Sequence, residues 1–86
     1  MKDRSRYGMV KTDTLDSLDR YVDHRIPTGG FLYAVLTNNL FEAFGRADRE
    51  NSDTLREICD YIYSELPAGC WGSMEKVAWW LKGGKQ

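Results

Sequence analysis

His24 is the only histidine of this 86-residue chain, and Cys59 and Cys70 are its only cysteines. A nucleophile–base pair would have to join His24 to a Ser, Thr or Cys that the fold brings near it. Its place at the end of a helical pattern, beside Arg20 and Arg25, reads instead as a cation set against a helix C-terminus. Two Cys and one His at unrelated spacings fall short of the four ligands of a zinc site, so no metal is expected. Glu42, Asp48 and Glu50 are the carboxylates from which an acid–base pair would be drawn, and they read as solvated helix faces. Cys59 falls on an apolar stripe and reads as a small buried hydrophobe. Cys70, next to Trp71 at a helix entrance, is where a thiolate would be stabilised, although packing is the simpler reading. These residues predict a chain that is not an enzyme and carries no cofactor.

Binding chemistry has more to work with. Two helix entrances, "PTGG" before one apolar run and "CWGS" before another, set unpaired N–H groups beside small residues, and such ends accept anions. The alternative is that Gly29, Gly30 and Gly72 only permit tight turns. Arg25, Arg46 and Arg49 offer guanidinium groups for phosphate, and Tyr33 and Trp71 offer rings for a base. With Gly29, Gly30, Phe31 and Ser73 these form the candidate ligand set.

The elements that must position them are helical. Leu15, Leu18, Val22 and Ile26 step along one face, with Tyr21 beside them, until Pro27 bars continuation; Thr12, Asp13 or Thr14 can cap the start. A second helix is expected from about Gly30 to Arg46, with Leu32, Val35, Leu36, Leu40, Ala43, Phe44 and Ala47 broadly on one side. Phe31, Ala34 and Phe41 fall elsewhere on it, which points to a central helix or to one that meets a second chain. Ser52 is the expected cap of a third helix carrying Leu55, Ile58, Cys59, Ile62 and Leu66. Ser73 caps a last one carrying Met74, Val77, Ala78 and Leu81. No alternating run suggests a strand. The expected fold is all-α, a compact bundle of about four helices with short connections.

The domain plan is a flexible basic arm, residues 1–11, and a single helical domain, residues 12–86. The arm lacks periodicity and sums to +3, leaving −4 for the remainder; Met9 offers an internal start that would make it dispensable. An acidic body argues against a dedicated nucleic-acid module, and a recognition helix holding Asp53, Glu57, Asp60 and Glu65 against Arg56 would be repelled from a major groove. No apolar run of membrane-spanning or signal-peptide character is present, so a reduced cytosolic setting is expected and a membrane partner is not. Aromatic residues, 13% with three Trp, exceed what so small an interior readily buries, so some are expected to face a partner.

"IPTGGFLYAVLTNNLFEAFGRADREN" followed by "ICDYIYSELPAGCWGSMEKVAWWL" resembles a family of small proteins of tailed bacteriophages and prophages. The likeness covers about residues 14–82 and rests on the order Pro-x-Gly-Gly-Phe-Leu, Glu-Ala-Phe-Gly-Arg-Ala-Asp, Cys-Trp-Gly-Ser. It implies a phage setting in the cytoplasm of a bacterial host. The family pattern falls on Pro27, Gly29, Gly30, Phe31, Leu32, Asn39, Glu42, Arg46, Asp48, Pro67, Cys70, Trp71, Gly72 and Ser73, many of which look architectural. Joined to the absence of a catalytic set, this setting leads to an expectation of counter-defence: an oligomer that sequesters a nucleotide-like immune signal. The alternatives are an inhibitor of a host defence protein, anti-CRISPR-like in mode, and a small DNA-associated regulator using the basic arm. Self-association is expected from Phe41 and the Trp79–Trp80 pair.

Overall fold

The computed structural model describes residues 3–84; Met1, Lys2, Lys85 and Gln86, and with them Lys2's share in the basic arm, lie outside the described residues. The chain is all-α. Helices α1 (Thr12–His24), α2 (Gly30–Leu36), α3 (Leu40–Arg46), α4 (Arg49–Asp53), α5 (Leu55–Glu65) and α6 (Met74–Leu81) follow one another, with a 3-10 turn at Ala68–Cys70 before α6. The described residues therefore hold six helices where four are expected.

Both extra helices come from breaks made by short polar side chains. Thr37 turns its hydroxyl back onto the Tyr33 carbonyl at 2.8 Å, which competes with the backbone ladder. Asn38 adopts φ 67°, in the left-handed region that Asn tolerates better than most residues. Asn39 then accepts from the Glu42 N–H and starts α3. Further on, Asp48 caps the short α4, accepting from the Asn51 N–H at 2.8 Å; Ser52, the expected cap of the next helix, lies inside α4, and α5 starts instead from Thr54 with no side-chain cap. The Asp48 carboxylate also pairs with Lys11. Ser73 caps α6 by accepting from the Lys76 N–H, as its position predicts.

The core gathers Leu15, Leu18 and Tyr21 of α1, Leu32 and Leu36 of α2, Ile58, Tyr61 and Ile62 of α5, and Val77 and Trp80 of α6. Cys70 is wholly buried, and its carbonyl accepts from the Tyr21 hydroxyl at 2.7 Å. Cys70 thus packs as its simpler reading has it, whereas Cys59, expected to be buried, is exposed, because α5 turns that edge of its stripe toward an open hollow.

Residues 4–10 are part of this domain rather than a free arm. Tyr7 is 2% exposed and Val10 is also buried. The Tyr7 ring meets the Tyr61 ring edge-on at 5.0 Å. Arg4 reaches Asp19 at 2.5 Å and Asp16 at 2.9 Å, while the Tyr61 hydroxyl donates to Asp19 at 2.7 Å. The other described basic residues of the arm are also paired with carboxylates of the domain, at its surface: Arg6 with Asp60 and Lys11 with Asp48.

The Lys11–Asp48 pair carries a pH prediction. The Lys11 ammonium, and after it the Asn51 N–H, hold the Asp48 carboxyl below its ordinary value. A depressed carboxyl pKa stabilises the fold fully above the ordinary value of about 4, and that contribution is lost as pH falls through the lowered one. Asp48→Asn is therefore expected to melt below the parent near neutral pH, with the gap closing on acidification. Thermal melts of both chains at neutral and strongly acid pH check it.

Candidate functional site

The molecule measures 32 × 28 × 17 Å. Several helices keep one side on solvent, and hollows stay open between them. Two of these hollows adjoin through Tyr33, Thr37 and Met74. One, of about 430 Å³, is walled by Gly29, Gly30, Glu42 and Arg46; the other, of about 520 Å³, by Gly72, Ser73 and Glu75. The two glycine-rich entrances therefore open onto one continuous groove between α2 and α6.

Space rather than backbone conformation explains one of the glycines in "PTGG". Gly29 is the N-cap of α2 with φ −72° and ψ 178°, an extended conformation open to any residue, and has open space around its Cα. Gly30 is different: a Cβ there would lie 2.7 Å from Nη1 of Arg46. The missing side chain lets the guanidinium lie against the start of α2. Arg46 is steered there from α3 by Glu42, whose carboxylate accepts from Nε at 2.5 Å one helical turn away. Gly72 does need its glycine: φ is +116°, and its N–H donates to the Leu36 carbonyl at 2.7 Å, tying the 68–72 segment to the end of α2.

Of the nine sequence-predicted ligand residues, Gly29, Gly30, Tyr33, Arg46 and Ser73 line this groove. The other four do not. Phe31 packs against the core. Arg25, in the left-handed region at φ 58°, closes α1 and is committed to the C-terminal segment. Its Nη1 donates to the carbonyls of Trp80 at 2.7 Å and Gly84 at 2.6 Å, and its guanidinium lies 3.7 Å from the Trp80 ring centre. Arg49 sits on α4, largely exposed and within 3.9 Å of Asp53. Trp71 turns to another hollow, with its ring 5.7 Å from that of Tyr63. Thr37, Met74 and Glu75 are groove residues the sequence reading passes over, since at helical spacing each has an ordinary place in a cap or on a face.

The residues shared with the phage-protein pattern have architectural duties for the most part. Asn39, Asp48 and Ser73 cap helices, Leu32 and Cys70 are buried, and Gly72 makes the left-handed link to α2. Glu42, Arg46, Gly29 and Gly30 are the members that converge on open surface. No group of three or more His, Cys, Asp or Glu side chains among the described residues is placed to hold a metal ion. Nor, among those residues, is any helix long and apolar enough to cross a membrane. Comparison with protein-family models, curated proteins and solved structures finds no match.

Proposed function

We propose that this chain is a non-enzymatic binding protein that sequesters a nucleotide-like signal in the α2–α6 groove, working as an oligomer in phage counter-defence. The observation that carries the reading is Arg46 laid against Gly30 beside the Tyr33 ring, in a groove that continues to Ser73. Each group has a role toward a planar anion. The guanidinium pairs with phosphate oxygens, and the Tyr33 ring, 40% exposed, offers a face for a base. Glu42 and Glu75 line the same surface, where carboxylates accept from ribose hydroxyls, as acidic residues do in dinucleotide sites. An open groove buries only one side of such a ligand, whereas tight small-molecule sites bury most of it, which is why the reading includes a second chain. The phage setting rests on the sequence resemblance alone.

The test is calorimetric titration with cyclic nucleotides and ADP-ribose derivatives. Arg46→Ala is expected to weaken binding of a phosphorylated ligand by at least about tenfold, the scale of one lost charge-assisted hydrogen bond. Its melting temperature should stay near the parent's, since Arg46 and Glu42 are both exposed. Absence of heat and of a thermal shift with every member of the panel would overturn the reading.

A further inference from the structure

The side of the molecule formed by α3 and α5 carries both a projecting apolar group and an open apolar recess. Helix α3 buries only Ala43 and leaves Phe41 88%, Phe44 60% and Leu40 59% exposed. At the usual area of large side chains these three expose roughly 400 Å² per chain, the size of patch that on a monomer is often functional. Next to it, a small hollow bounded by Leu40, Leu55 and Cys59 adjoins a larger one of about 280 Å³ through Val35, Asn38 and Cys59. Ile62, Tyr63, Trp71 and Gly72 form the rest of that recess, and no charged side chain lines it. A cavity of roughly 150 Å³ already admits a benzene-sized ring.

We propose that these are the two halves of one self-association contact, in which Phe41 of one copy enters the recess beside Cys59 of another. A second copy of this chain is the occupant that supplies both missing complements at once. Two such apolar faces contribute roughly 800 Å², and the recess walls, with Tyr63 75% exposed, bring the total toward the 1,200 Å² or so of a specific interface. The uncharged recess offers nothing to select a charged peptide, and a formal net charge of −1 opposes self-association only weakly. A reciprocal contact gives a two-fold dimer, and a head-to-tail one gives a ring where its rotation closes and an open filament where it does not. The contact would supply the second chain that the nucleotide reading includes, but Gly29, Gly30, Tyr33 and Arg46 take no part in it, so loss of association in Phe41→Asp and loss of ligand binding in Arg46→Ala are separate readouts.

Light scattering and thiol cross-linking test it. The parent chain is expected to show a mass of at least two chains, and Phe41→Asp the mass of one with a cooperative melt retained, because Phe41 contributes little to the monomer's core and only the stabilisation by association is lost. In Phe41→Cys, diamide is expected to draw two electrons and two protons from the introduced thiol and Cys59 of a neighbouring copy, joining the chains by a disulfide. Cys70 is wholly buried and takes no part. Adding Cys59→Ser should abolish the cross-link. A parent that is monomeric at every concentration, an unchanged mass in Phe41→Asp, or cross-linking that persists without Cys59 would each overturn the proposal.

Discussion

A chain begun at Met9 is expected not to fold. It loses Tyr7, a ring 2% exposed that meets Tyr61 edge-on at 5.0 Å, and with it Arg4. Truncating a buried aromatic residue to alanine typically costs about 3–5 kcal/mol, against a total of roughly 5–10 kcal/mol for a domain of this size. Tyr7→Ala in the full chain isolates that part. Deletion adds the cost of leaving Asp16 and Asp19 without the guanidinium that reaches both at 2.9 and 2.5 Å. Circular dichroism melts check the series: Tyr7→Ala should melt well below the parent, and the chain starting at Met9 should show no cooperative transition. A shortened chain as stable as the parent would mean that Tyr7 does not fill the core.

The second large effect lies at the other end. Trp80→Ala is expected to destabilise the domain by about 3–5 kcal/mol. Its indole fills the core beside Tyr21, donates through Nε1 to the Tyr21 carbonyl at 3.2 Å, and carries the Arg25 guanidinium on its face at 3.7 Å. Arg25→Lys separates the contributions, because an ammonium keeps the charge and loses the planar fork that stacks on the ring while bridging two carbonyls. Denaturant titration should rank Trp80→Ala below Arg25→Lys and both below the parent. Equal stability of Arg25→Lys and the parent would reduce the clamp to simple charge.

These two contacts also mark what the sequence could and could not disclose. The stripes of α1, α5 and α6 are legible because Leu15 and Leu18, Ile58 and Ile62, and Val77 fall at helical spacing on the faces that are buried. Tyr7 stands in a stretch without periodicity, so its burial depends on Tyr61, 54 positions away, and no local pattern signals that. Arg25 is equally opaque: a cation after a helix suits the helix dipole, and only the fold brings Trp80 beneath it. The Thr37–Asn39 break hides inside an apolar run because Asn is unremarkable on a wet helix face. Its left-handed φ at Asn38 and the cap at Asn39 are visible only in the backbone. Of the site, the two glycine-rich entrances were readable as features, while their union in one groove depends on the fold setting Tyr33 and Thr37 of the α2 end and Met74 of α6 along both hollows. The double glycine resolves into two cases: Gly30 makes room for Arg46, and Gly29 answers to no constraint of conformation or space.

Arg25 and Arg46 divide the labour that the sequence assigns to both. One holds the C-terminal segment on the core, and the other lies on open surface with its charge shared by Glu42. The most direct measurement is therefore titration of the parent, Arg46→Ala and Gly30→Ala with the cyclic nucleotide and ADP-ribose panel, with a melt of each chain alongside. A Cβ at residue 30 meets only the flexible end of Arg46, so it displaces the guanidinium at little cost to the fold. The account predicts saturable binding of at least one phosphorylated ligand by the parent, weakened at least about tenfold in both variants at unchanged melting temperature. Binding by both variants as tight as the parent's, or no binding by the parent to any of the panel, would contradict it.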